Sequence, residues 1–456
     1  MLITDREDYK KDLEEVISLF TIVGGVDIKH RQKTSGDVFS DEFLFNGKTY
    51  SFKETKKCDG AIELKRYEKR FSKLALYKIL SEFYKVNQEW GALTGIRPVK
   101  MARTAGDDFE KELKGVFGVS DKKIALVKEI LETQKGLYDE NGKFSDLFLS
   151  IPFCPSRCSY CSFISEEIKK SEFVKEYVNA LVKETEAVKD LNADIRSVYI
   201  GGGTPTALDE DDLEKVINAV KPFIKKGTEF TVEAGRPDAM TEKKLGILKD
   251  GGVTRVCVNP QSFSDKTLAL IGRKHSAKSV ENAFFLAKSY GFLINSDIIA
   301  GLTGETFSDF KNTVDKTLSL NPDNFTVHTL CLKKGSKLKE STERLSVSEI
   351  SKMIDYAYAE GEKRGYKPYY LYRQKYAAGN LENVGYSKKG AECLYNIDVM
   401  EENSDNIACG ANAVSKKVFI KENRIERYGS PKDVRTYISK LPVIIKQKSE
   451  LFKNEP

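Results

Sequence analysis

At 456 residues, with 40% hydrophobic and 31% charged side chains, the chain is too long for one small core and has the composition of a globular protein of about three domains. Its 74 Lys and Arg against 68 Asp and Glu leave a net charge of +6, which suits an anionic substrate but does not by itself argue for nucleic acid. No apolar run approaches the ~20 residues that cross a bilayer, and the charged N-terminal stretch MLITDREDYKKDLEEVISLF does not read as a signal peptide. The eight cysteines show no paired framework, so a reducing cytoplasm is the expected compartment.

Residues 1–145 read as a separate α/β module. Apolar spacing at Leu13, Val16, Ile17 and Phe20 predicts a helix within Asp5–Phe20, and a strand is expected at Thr21–Val26. Glu42–Phe45, Asn46-Gly47 and Lys48–Phe52 form a hairpin signal, because Asn-Gly supplies the two positive φ angles of a tight turn. Helical patterns follow near 66–86 and 120–136, and between them Trp90–Pro98 holds the one tryptophan. The basic stretch Lys65–Arg70 reads as a solvated helix face in preference to a nucleic-acid patch.

From 146 to 340 short β-rich runs alternate with helical stretches. The predicted strands are Leu147–Pro152, Ser197–Ile200, Glu229–Glu233, Arg255–Asn259, Leu293–Ile299 and Phe325–Leu330. The helices between them are Ser171–Leu191, Asp209–Ile224, Thr241–Asp250, Ser279–Tyr290 and Thr306–Leu320. Such alternation implies parallel strands joined by crossover helices. Six units are too few to close an eight-stranded barrel, so the expected core is a partial, open (β/α)6 barrel, with active groups at the C-terminal strand ends. Residues 341–456 read as a C-terminal α+β domain, with helices near 347–364 and 431–447 around a loop-rich, tyrosine-rich stretch from Tyr369 to Tyr395.

Cys154, Cys158 and Cys161 follow the first core strand in C-x-x-x-C-x-x-C spacing. Three thiolates in one loop can hold three irons of a 4Fe–4S cube and leave the fourth iron open. A structural zinc site normally closes with four Cys or His ligands, and no fourth lies near this loop. Gly201-Gly202-Gly203-Thr204-Pro205-Thr206 follows the second strand, where consecutive glycines let the backbone approach a ligand closely; alone a tight turn, beside the cysteine loop it reads as a grip on a cofactor. Later strands end in Glu233, with Arg236 and Asp238; in Asn259 and Gln261, then Arg273 and His275; in Asp297; and in His328 and Cys331. Acid, amide, guanidinium and acid on successive strands suit a zwitterionic, ribose-bearing molecule.

The cysteine loop after "IPFC", the "GGGTPT" turn and "QSF…GRKHS" resemble radical S-adenosylmethionine enzymes, in the branch of the oxygen-independent coproporphyrinogen III oxidases (dehydrogenases). The flanks "GALTGIRPVK", "PYYLYRQK…GNLENVGY" and "ECLYNIDVMEEN" resemble its HemZ-type subgroup, which carries an N-terminal extension. The resemblance implies a 4Fe–4S cluster on Cys154, Cys158 and Cys161, and S-adenosylmethionine held by Tyr160, Gly203, Thr204, Glu233, Gln261, Arg273 and Asp297. It further implies decarboxylation of two propionates to vinyl groups in haem and porphyrin biosynthesis under anaerobic conditions. A tetrapyrrole would be the substrate, a flavodoxin or ferredoxin the electron donor, and the protein a monomer. Phe163 stands where oxidases of the branch commonly carry a cysteine, and Ser162 stands where the haem-chaperone relatives, which also lack that cysteine, usually carry an aspartate. A haem-binding chaperone of the same family therefore stays open, as does a radical enzyme acting on RNA.

Smaller signals carry paired readings. His275 reads as a proton shuttle or a satisfied surface-loop histidine, His328 as a core histidine in preference to one facing the barrel interior, and Cys331 as a packed thiol or a relay. Tyr369, Tyr370, Tyr372, Arg373 and Lys375 suit either a flat carboxylated tetrapyrrole or plain packing.

Overall fold

The structure, a computed structural model, describes residues 1–20, 27–94, 97–161, 166–331, 346–374, 377 and 380–453. The strand expected at Thr21–Val26, together with Ser162, Phe163 and Lys375, lies outside them. The chain divides into two compact units: Met1–Lys128 with Tyr372–Glu382, and Glu129–Leu371 with Asn383–Pro456.

The first unit is built on a four-stranded sheet, β1 (Leu2–Thr4), β2 (Ile28–Ser35), β3 (Val38–Phe45) and β4 (Lys48–Thr55), in that order. The Asn-Gly hairpin is present, with φ of 50° at Asn46 and 75° at Gly47. Helix Ala61–Tyr84 buries Tyr67 and Phe71 on the sheet, where Tyr67 meets Phe39 edge-on at 4.7 Å. The basic stretch on this helix is paired: Lys69 reaches Asp12 at 3.2 Å and Arg70 reaches Glu112 at 2.9 Å. Arg373 and Glu382 are fastened into this unit by buried charge. Trp90 Nε1 donates to Glu382 at 2.6 Å, Lys123 pairs with the other Glu382 oxygen, and Arg373 donates to Leu93 O at 2.8 Å while lying over the Trp90 ring.

The second unit carries the six expected core strands: β5 (Ser145–Ile151), then, after the short β6 (Phe153–Cys154) and β7 (Glu166–Glu167), β8 (Ile195–Gly202), β9 (Glu229–Gly235), β10 (Arg255–Val258), β11 (Leu293–Ala300) and β12 (Asn324–Thr329). All six run parallel, in the order β12-β11-β10-β9-β8-β5. The crossover helices start where a polar side chain accepts a backbone N–H of the first turn, as at Asp209, Thr241, Ser276 and Thr306. Their apolar faces, with Leu213, Val216, Leu245, Leu248, Phe284 and Ala287, close over the Val, Ile and Leu of the strands in one continuous core.

The C-terminal segment departs from expectation in one respect. β13 (Lys367–Arg373), β14 (Glu382–Ser387), β15 (Asp405–Cys409), β16 (Val414–Phe419) and β17 (Arg424–Gly429) extend the same sheet to eleven strands. β15 lies parallel beside β5 as a seventh parallel strand, and β14 lies antiparallel beside β12. The sheet order is open at both ends among the described residues, so the expected partial, open barrel is borne out. The stretch read as loop-rich between Tyr369 and Tyr395 carries the end of β13 and all of β14. No described helix is long and apolar enough to cross a membrane.

Polar contacts close the N-terminal ends of the strands. Glu229 accepts from Leu394 N and Tyr395 N at 3.1 and 3.3 Å and pairs with buried Arg255 at 2.8 Å. Arg255 also donates to Ala391 O at 2.9 Å, and Arg196 grips Asp398. Helix Leu394–Glu401 is thereby seated under the sheet, and it sends Tyr395 inward to stack on Tyr199 at 4.5 Å, next to Phe148.

Candidate active site

The cysteine loop leaves β5 over the C-terminal strand ends, with Cys154 on β6 and Cys158 and Cys161 in the turn that follows, all three half-buried. Its backbone is tied on two sides. Gly203 N donates to Ile151 O and Thr204 N to Phe153 O, both at 2.7 Å, and Ser159 N donates to Ile271 O at 3.0 Å. A Cβ on Gly203 would lie 2.4 Å from Phe153 O, so this glycine is needed for the chain itself to come close. The backbone donors of Gly203 and Thr204 are thus used in holding the loop, while the Thr204 hydroxyl donates to the Cys154 sulfur at 3.5 Å.

Two guanidinium groups converge on the same loop. Arg236 places Nη1 3.1 Å from Ser156 Oγ and 4.0 Å from the Cys158 sulfur. Arg273 donates from Nη1 to Asn259 O at 2.7 Å and lies at Tyr160 and Cys158. Burial works against the Arg273 charge, but the Tyr160 phenol and the Cys158 sulfur outweigh it and hold the guanidinium charged. His275, read from sequence as a proton shuttle or a satisfied surface-loop histidine, is buried with no hydrogen bond to either ring nitrogen. Burial and the neighbouring Arg273 and Arg236 push its pKa down to about 4, so it is neutral at pH 7.

Below the loop, Glu233 is half-buried and accepts from the Tyr199 hydroxyl at 2.8 Å. Burial raises its pKa to about 7, with the Asp297 charge adding to the rise and the Tyr199 hydrogen bond opposing it. A Cβ on Gly201 would meet the Glu233 carboxyl at 2.9 Å, so that glycine makes room for the side chain. Asp297 takes Asn295 Nδ2 at 2.8 Å and lies 3.7 Å from His328 Nε2. Burial alone would raise the Asp297 carboxyl, but His328, Asn295 and Thr326 outweigh it and keep the group below the usual carboxylate range. Gln261 is held at a φ of 63° by backbone bonds to β11, Gln261 N to Asp297 O at 2.9 Å and Ile299 N to Gln261 O at 3.0 Å.

The cluster and S-adenosylmethionine that the resemblance implies fit these residues. Buried Gln261 Oε1, Asn295 Oδ1 and Arg273 Nε have no hydrogen-bond partner within the protein, and such groups are costly to bury unless a ligand satisfies them. Among the described residues no three Cys, His, Asp or Glu side chains converge on a point as the ligands of one ion would; the thiolates of a cube sit each on its own iron. All ten sequence-predicted site residues lie in the second unit, on or just after the C-terminal ends of its parallel strands.

Sequence reading missed one participant and left others between two readings. Tyr199 is the polar member of the alternation Val198-Tyr199-Ile200 and faces Glu233, a signal that was present in the strand pattern. Of the two readings of His328 the core one does not hold; it is partly exposed beside Asp297, and the β11–β12 register sets Ile299 opposite it. Tyr369 and Tyr370 are buried, with hydroxyls bonded to Asn396 and Thr326, and Arg373 is buried on backbone carbonyls. They pack the protein and offer no face to a flat ligand.

Residues 148–317 match the radical SAM superfamily. The chain is 36% identical over 373 residues to the oxygen-independent coproporphyrinogen-III oxidase-like protein HemZ of Bacillus subtilis, covering 77% of this chain and 74% of that protein. It is 37% identical over 189 residues to the heme chaperone HemW of the same organism, covering 40% and 49%. Among solved structures, coproporphyrinogen III oxidase (HemN) of Escherichia coli shares the fold, with a TM-score of 0.53 at 18% identity, covering 68% of this chain and 71% of that one.

Proposed function

Because the chain belongs to the radical SAM coproporphyrinogen oxidase-like family, we propose that it is an oxygen-independent coproporphyrinogen III dehydrogenase, turning two propionates into vinyl groups. The family's cofactors are S-adenosylmethionine and a 4Fe–4S cluster, which when bound supply hydrogen abstraction from an unactivated carbon. Each propionate loses a hydrogen atom, carbon dioxide and one electron, the electron passing to a one-electron acceptor. A reduced flavodoxin or ferredoxin is the donor that primes the site.

In this reading Cys154, Cys158 and Cys161 hold the cluster. Arg273 matches the carboxylate of S-adenosylmethionine, and Glu233 and Asp297 accept from its ammonium or ribose hydroxyls. Gln261 offers its unpartnered Oε1, Tyr160 packs against Arg273, and Gly203 and Thr204 set the loop's height over the strands. The observation that carries the reading is this joint placement on the strand ends, with buried polar atoms of Gln261 and Arg273 left unsatisfied by the protein. The tetrapyrrole substrate is supported by the names of the relatives.

A second reading, a haem chaperone without oxidase activity, is favoured by the 37% identity to a heme chaperone across the shared region. One anoxic experiment separates them: reconstitution with iron and sulfide, then reductant, S-adenosylmethionine and coproporphyrinogen III. Protoporphyrinogen formation supports the dehydrogenase. Stoichiometric haem binding without turnover refutes it and supports the chaperone, and cofactor cleavage stimulated only by RNA refutes both.

A further inference from the structure

We propose that Arg236 and Asp238 act as a charge pair that sets the reduction potential of the cluster at Cys158, the guanidinium raising it and the carboxylate limiting the rise. The inference rests on the cluster assignment above and concerns two residues that neither hold the metal nor complete a strand.

The placement is built into the chain. Gly235 ends β9 at a φ of 53°, and Arg236 N turns back to Ala234 O at 2.6 Å, which throws the arginine across to the cysteine loop. Only 3% of Arg236 is exposed. Nε and Nη2 take the two Asp238 oxygens at 2.9 and 2.8 Å. This bidentate grip fixes the guanidinium plane and leaves the Nη1 end for Ser156 and the Cys158 sulfur.

The charges around this sulfur are unequal. Arg273 brings a second cation to it. His275, whose Nδ1 is 3.9 Å from Asp238, adds no third charge at pH 7. The Asp238 side chain is 32% exposed while that of Arg236 is 4% exposed, so solvent screens the anion more than the cation. Reduction adds one negative charge to the cluster, and a buried cation close to a ligand sulfur stabilises that form. Removing the cation therefore lowers the potential, whereas removing the anion leaves the cation less compensated and raises it.

The test uses the full chain, reconstituted anoxically as wild type, Arg236→Gln, Arg236→Lys and Asp238→Asn. Iron and sulfide are counted, and the midpoint potential is read by redox titration followed by electron paramagnetic resonance. Arg236→Gln is expected to shift the midpoint downward, Asp238→Asn upward, and Arg236→Lys to lie between Arg236→Gln and wild type. A brace with no electrostatic role would change cluster occupancy without moving the potential. Unchanged midpoints in fully loaded Arg236→Gln and Asp238→Asn, or shifts of the same sign, overturn the proposal. Should Arg236→Gln fail to load, Asp238→Asn decides alone, and an unchanged midpoint there overturns it. A wild-type chain that takes up no iron or sulfide overturns the cluster assignment as well, and its iron count makes that failure distinguishable.

Discussion

Tyr199→Phe removes one hydroxyl and leaves the stacked ring in place. The lost bond is a 2.8 Å donation to a carboxylate whose pKa stands at about 7. Hydrogen bonds to charged groups are worth roughly 1.5–3 kcal/mol, and about half of that favouring the ionised form would raise the Glu233 pKa by about one unit. At pH 7 Glu233 would then fall from about half to about one-tenth ionised. If the ionised form accepts from S-adenosylmethionine, the variant should bind it about fivefold more weakly at pH 7 and nearly as tightly as wild type at pH 9. Isothermal titration calorimetry of the reconstituted protein with S-adenosylmethionine from pH 6 to 9, without turnover, reads this directly. A weakening of the same size at every pH would mean that the hydroxyl only shapes the cavity. No weakening at all would remove Glu233 from the binding set.

Cys158→Ala should abolish both the cluster's absorbance and cleavage of S-adenosylmethionine; an intact cluster in that variant would refute the ligand assignment. Glu305 is buried, takes the Ser262 hydroxyl at 2.6 Å, and has its pKa raised by burial to about 8 from an ordinary 4.5. A carboxyl whose folded pKa is raised lends stability that is full below pH 4.5 and lost as pH rises through 8. Glu305→Gln should therefore overtake wild type in thermal stability across that window, by a few kcal/mol at most, and parallel melting curves from pH 5 to 8.5 would contradict this. Arg255→Ala strands Glu229 without its 2.8 Å partner, and should cost about 3 kcal/mol in urea unfolding of the full chain; a loss below about 1 kcal/mol would show that the Leu394 and Tyr395 amides suffice.

What the sequence disclosed and what it withheld divide along physical lines. Strand–helix alternation is local, and β5 and β8–β12 fall close to where the hydrophobic pattern puts them. The cysteine spacing is local too, so the loop was readable before any fold was known. β15 was not, because its place beside β5 depends on a pairing with a segment far away in the chain. His328 could not be settled between core and barrel interior for a related reason: its nearness to Asp297 follows from the register of two adjacent strands. Arg373 carried a charge that suggested a ligand, yet its partners are the carbonyls of Leu93 and Asn380. A buried cation satisfied by backbone looks, in sequence, the same as one waiting for a substrate. Gln261 could be named by resemblance, but its left-handed backbone, which holds it against β11, shows only in the structure.

The clasp at the N-terminal ends of the strands has a corollary for local opening. Glu229 accepts from the amides of both Leu394 and Tyr395, and Tyr395 stacks on Tyr199, whose hydroxyl serves Glu233. Hydrogen exchange at those two amides therefore reports whether the clasp is shut, because neither amide can exchange while the one carboxylate holds it.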